Sequence, residues 1–216
     1  KAEAIYKAIL EEDVQNSVAC YELSRTLSAA GKTTDALTYI RKAIRIEPDN
    51  EWYLLMEADI HEKAGDLHAT MEMYDRLIVL RPRKVHYYEM QIQFCKRTGE
   101  SERLLALLDR YESWQGVTEA ITRTRFETLD ALGRKEEALA AIHKLTNVFP
   151  SNIEYKFLAA AYAVKAGKED QAKQYYTGIL ALEPDNARAR LAMAGTEKEE
   201  GNDAGYLQSI MPVITN

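Results

Sequence analysis

The residues best equipped for chemistry are His61-Glu62-Lys63-Ala64-Gly65, which open like the zinc helix His-Glu-x-x-His. In that helix two histidines one turn apart hold the metal and the glutamate acts as base. Gly65 stands in the second ligand slot, so no zinc site is expected, and His61 is expected to be a packed core histidine. His68, His86 and His143 show no ligand spacing with one another or with Cys20 and Cys95. The two cysteines are far apart and fall in no metal or redox pattern, so both read as buried free thiols. Asp59 and Glu89 could face each other as an acid–base pair, but nothing nearby supplies the desolvation that would separate their pKa values. Glu11/Glu12 and Glu199/Glu200 read as solvated charge. There is no glycine-rich phosphate loop and no Gly-x-Ser-x-Gly elbow. The expectation is a protein that is not an enzyme and uses no cofactor or metal.

The chain has 216 residues, 46% hydrophobic and 29% charged, which is ordinary globular usage. Its net charge of −6 and pI of 5.4 have the wrong sign for gripping phosphate backbones, so no nucleic-acid partner is expected. The longest apolar stretch, Phe157 to Val164, is eight residues. A membrane-spanning helix needs about 20, so no membrane insertion is expected. Lys1 opens the chain with no charged leader and apolar core, which suggests a processed or excised segment. Cytoplasmic and periplasmic locations are not distinguished.

Glycines recur at 31, 65, 99, 133, 167 and 201, each 34 residues from the next. Seventeen residues after the first five stand Pro48, Pro82, Gly116, Pro150 and Pro184. Between the marks the pattern is helical: Ala36, Ile40, Ala43 and Ile44 form one apolar stripe. Proline cannot continue a helix and pushes its predecessor out of the α region, while glycine supplies the left-handed residue that ends one. The unit is therefore helix A, glycine turn, helix B, proline turn. A single pair cannot bury both faces, so such units stack into an array.

In phase and period the chain resembles the tetratricopeptide repeat. Small residues early in helix B are Ala36, Ala138 and Ala172, with Thr70, Leu104 and Tyr206 departing from that pattern. Four positions on come Ile40, Tyr74, Leu108, Ile142, Tyr176 and Ile210. In helix A the small residue is Ser24, Ala58, Ala160 and Ala194, replaced by Ile92 and Phe126. The resemblance implies an all-α, right-handed superhelical solenoid of antiparallel helix pairs. A single array is expected, with full repeats at 17–50, 51–84, 85–118, 119–152 and 153–186. Residues 1–16 read as helix B of a truncated repeat, and 187–216 as a partial last repeat whose helix B is interrupted by Pro212. With no polar capping helix at either end, the array is expected to continue in a longer protein.

The resemblance also implies that one face of helix A lines a concave groove. The residues falling there are Tyr21, Arg25, Trp52, Leu55, Asp59, His86, Glu89, Gln93, Arg123, Glu127 and Phe157. Aromatics among mixed charges suit a peptide or a partner helix. The Lys/Asn pair with which one subfamily grips chaperone tails occurs in no repeat, so that activity is not carried over. The expected function is a protein interaction module or scaffold. The alternatives are a structural spacer, a self-associating array, or the non-catalytic arm of a larger protein. Net charge runs −6 over residues 1–80, +3 over 81–135 and −3 over 136–216, and the basic middle includes Arg81, Arg83, Lys84, Lys96 and Arg97. It either steers an acidic segment or is a solvated face. Gly116, in place of proline, predicts a softer joint over residues 113–118.

Overall fold

A computed structural model describes residues 1–199 and 201–214. Among these the chain forms thirteen helices and no strand. It divides into two compact units, Lys1–Leu107 and Leu108–Asn216.

The first unit holds α1 (Ala2–Glu12), α2 (Ser17–Ala29), α3 (Thr33–Ile46), α4 (Glu51–Lys63), α5 (Leu67–Leu80), α6 (Val85–Thr98) and the start of α7 (Ser101–Gln115). Within it α1 packs on α2, α2 on α3, α3 on α4, α4 on α5 and α5 on α6. The second unit holds the rest of α7, then α8 (Glu119–Ala131), α9 (Lys135–Val148), α10 (Ile153–Lys165), α11 (Glu169–Leu182), α12 (Ala187–Glu199) and α13 (Asp203–Ile214). From α8 to α13 each helix packs on the next. The even-numbered helices from α2 are the A helices and the odd-numbered ones the B helices. The A helices, and the B helices from α3 on, start at intervals of 34 residues.

Local chemistry sets the helix ends. Gly31 takes φ +73°, its N–H bonds the Ser28 carbonyl at 3.0 Å, and the Lys32 N–H reaches back to Leu27 at 2.9 Å. This double bond satisfies carbonyls that the helix end would leave open. The same pair of bonds recurs at Gly65, Gly133, Gly167 and Gly201. A side chain in this left-handed region costs roughly 1 kcal/mol. At the other mark, the residue before the proline lies outside the α region, as at Glu47 (φ −129°, ψ 82°) and Glu183 (φ −132°, ψ 85°). An asparagine then caps the following A helix: Asn16, Asn50, Asn152 and Asn186 accept backbone N–H bonds from the first turn, as does Thr118. Each cap stabilises its helix by about 1 kcal/mol. Lys84, at the equivalent place before α6, provides no cap.

The core is the seam between helices. Ile40, Leu108 and Ile142 are fully buried, as are the small Ala36, Ala138 and Ala172. Each Leu or Ile buried this way contributes roughly 1.5–3 kcal/mol. Thr70 and Leu104, which depart from the small-residue pattern, are buried as well. α1 buries no residue. Both cysteines are buried and free, and burial pushes the Cys95 thiol up to about 11. One expectation is corrected: Pro212 does not interrupt the last helix, because α13 runs through it to Ile214. So near the helix end, a missing N–H removes a single intrahelical bond.

Candidate functional site

The expected groove residues sit on the A helices, and the structure gives them unequal roles. In the first unit Trp52 is 69% exposed and Val18, at the same position one repeat earlier, 61%. Tyr21 and Leu55 are half-buried. The Tyr21 ring stacks on Tyr53, centroids 5.3 Å apart, so its face is held by the next A helix. Arg25 pairs with Glu22 at 2.5 Å and Asp59 with Lys63 at 2.6 Å, both along their own helices. His86, Glu89 and Gln93 are exposed. In the second unit Arg123 pairs with Glu119 at 2.7 Å, and Glu127 is exposed. Phe157 departs from the expectation of an open ring: it is 6% exposed, with the Arg188 guanidinium 3.9 Å above its centroid. A cation over a ring is attracted by its π face and here also covers it.

Tyrosine hydroxyls tie successive A helices together. Tyr53 reaches Ser17 at 3.2 Å, Tyr87 reaches Glu51, and Tyr155 reaches Glu119 at 2.7 Å. Hydrogen bonds from Lys84 and Tyr87 hold the Glu51 carboxyl below its usual range. Tyr155 and Arg123 do the same for Glu119. Carboxylates with depressed pKa values contribute stability above their unfolded pKa and lose it as the pH falls through the folded one.

Sequence inspection missed a second feature, polar pairs between helix B and the following helix A in which one partner is largely buried and the other reaches solvent. Arg41 Nε donates to Glu57 Oε1 at 2.7 Å, Gln91 Nε2 to Asp75 Oδ1 at 2.6 Å, and Arg125 Nη1 to Asp109 Oδ1 at 2.6 Å, each pair 16 residues apart. Glu57 is buried, and so is His61, whose Nε2 lies 3.3 Å from Arg41 and whose Nδ1 lies 3.6 Å from Asp66. His61 is thus buried as expected, and it packs beside the Arg41–Glu57 pair. The missed signal was the complementarity of residues 16 apart. At the next junction the series ends: Ala159 faces no such partner, and His143 instead lies 2.8 Å from the Tyr175 hydroxyl. Between α9 and α11 a cleft of about 390 Å³ is lined by Leu139, Ala140, His143, Gln171 and Gln174. Among the described residues no group of three or more His, Cys, Asp or Glu is placed to hold a metal ion. No helix among them is long and apolar enough to cross a membrane.

The family model described as tetratricopeptide repeat matches residues 17–50, the span of α2 and α3 with their turns. These residues carry a tetratricopeptide repeat, and the helix pairs that follow keep its 34-residue spacing. That family model describes a helical repeat, not an enzyme. The N-terminal acetyltransferase A complex auxiliary subunit NAA15 of Arabidopsis thaliana is 22% identical over 190 residues, 83% of this chain. This chain spans about a fifth of that relative's length, 21%. The solved structure of Naa15/Naa10 bound to HypK-THB gives a TM-score of 0.67 at 10% identity, over 97% of this chain and 33% of that one. This likeness is one of fold. YrrB, a TPR protein with an unusual peptide-binding site, gives 0.46 at 15% identity, over 88% of this chain and 97% of that one.

Proposed function

We propose that this chain is a non-catalytic interaction module, and that the A-helix face of its first unit binds a peptide or partner helix. The observation that carries the reading is Trp52. A tryptophan 69% exposed on an ordered helix, with Val18 at 61% one repeat before it, leaves a large apolar surface in water. Such aromatics dominate binding energy where a partner excludes solvent around them. Leu55 and Tyr21 extend the apolar strip, and Arg25, Asp59, His86, Glu89 and Gln93 supply polar groups that would set a ligand's register. In the second unit Arg123 and Glu127 are polar groups on the A helix α8, while Phe157, roofed by Arg188, contributes only if that guanidinium moves aside. The relative's role as an auxiliary subunit of a complex agrees with a scaffold that holds another polypeptide.

The test is quantitative binding of a partner identified by cross-linking and then purified. Trp52→Ala with Leu55→Ala should weaken it by about 2 kcal/mol, some 30-fold, with helicity unchanged. Unchanged affinity would remove the groove assignment.

A further inference from the structure

The loop between α5 and α6 reverses the charge of its counterparts without changing their backbone. Glu47-Pro48-Asp49-Asn50 and Glu183-Pro184-Asp185-Asn186 are acidic, and each closes on itself: the Asn50 amide donates to Glu47 at 2.9 Å and Asn186 to Glu183 at 2.7 Å. The equivalent segment here is Arg81-Pro82-Arg83-Lys84. Its backbone bond, Lys84 N–H to Arg81 carbonyl at 3.1 Å, matches those from Asn50 to Glu47 at 3.2 Å and from Asn186 to Glu183 at 3.1 Å. The turn therefore does not require basic residues. Having them removes the side-chain cap that Asn50 and Asn186 give their helices.

Four cationic residues and no carboxylate lie between Asp75 and Glu89, in a chain of net charge −6. One acid from another helix meets them: Glu51 takes Arg81 Nε at 3.2 Å and also Lys84. Arg76 and Arg83 are exposed and make no ion pair with the described residues. Among these charges the surface is apolar. Val79 is 70% and Val85 37% exposed, and a hollow of about 420 Å³ is lined by Leu80, Pro82 and the stems of Arg81, Arg83 and Lys84.

We propose that this basic, apolar-centred loop is a second docking surface, for an acidic peptide segment that places an apolar side chain between carboxylates. Charge complementarity selects the partner: unpaired guanidinium groups match carboxylates in bidentate geometry, and the hollow accepts the side chain between them. Nucleic acid fits less well, because phosphate tracking needs cations repeated along a surface, and here they are confined to one loop. The site lies on the connection from helix B to helix A, apart from the A-helix rows that carry Trp52, and goes beyond the groove reading.

The test is fluorescence anisotropy with a fluorescein-labelled peptide of repeating Glu-Leu-Asp. The protein should bind it with a Kd below about 100 µM at low salt, more weakly as salt screens the pairs. Arg83→Asp with Lys84→Asn rebuilds the Pro-Asp-Asn found at the sister turns. It should keep or raise the melting temperature and weaken binding about tenfold or more. Arg83→Gln, which leaves Lys84 on Glu51, should weaken it to a smaller degree. Trp52→Ala should bind as the parent does, which separates this surface from the groove. The proposal is overturned by no binding, by equal affinity in the double variant, by a Gln-Leu-Asn peptide binding as tightly, or by loss of binding in Trp52→Ala. Preference for phosphatidylserine vesicles or single-stranded RNA over the peptide would overturn it as well.

Discussion

Trp52 in the first unit and Phe157 in the second are aromatics on the same face of an A helix, yet one lies open and the other is covered. Trp52 is 69% exposed; Phe157 is 6% exposed beneath Arg188. Phe157's equivalent three repeats earlier is the half-buried Leu55, with Trp52 three residues before it, so the difference reflects both the place on the face and the arginine that the next repeat lays over Phe157. The junctions differ as well. Arg41 and Glu57 pair across one in the first unit, whereas in the second Ala159 stands at the place of Glu57 and His143 lies against the Tyr175 hydroxyl.

The largest effect that can sharpen this contrast is at the paired junction. Arg41→Met strands the buried Glu57 carboxylate and should destabilise the protein by about 1–3 kcal/mol in urea unfolding. Arg41→Met with Glu57→Met should recover most of that loss, since it removes the buried carboxylate together with the half-exposed guanidinium that pairs with it. His143→Ala, which touches no buried partner pair, should change stability by less than about 0.5 kcal/mol. Equal costs at the two sites would erase the distinction.

A smaller effect concerns the roof. Arg188→Ala should lose about 0.5–1 kcal/mol of cation–π attraction and uncover Phe157, read as increased binding of an apolar dye by the second unit. No gain in dye binding would mean that Phe157 is covered by more than Arg188.

How far the molecule could be read in advance follows from the range of each interaction. Gly31 and its equivalents end helices through their own φ, and Pro48 acts on its immediate neighbour, so period and helix ends were legible residue by residue. The assignment of Trp52 to a groove face came from the resemblance to the tetratricopeptide repeat, which spacing along one helix does not supply. The roofing of Phe157 depends on a residue 31 positions away, and the Glu57 cluster on one 16 away, chosen by how successive repeats stack. Neither is visible from local pattern. Pro212 misled because proline's penalty shrinks near a helix end, a place that spacing did not fix.

The smallest predicted effect is alkaline. Burial raises the Cys95 thiol from 9.0 to about 11. The folded protein then holds a proton that the unfolded chain releases, so this contribution is complete below about pH 9 and is lost as pH rises through the folded value. Between about pH 8 and pH 10.5 the parent should lose more stability than Cys95→Ala. Equal losses would show that the buried thiol does not titrate with unfolding.

Site-specific photo-cross-linking tests the central claim most directly, with a benzophenone side chain placed at position 52 in one sample and at position 157 in another. Position 52 should yield adducts with a partner polypeptide and position 157 should yield none. Adducts formed equally from both positions, or only between copies of this chain, would contradict the account.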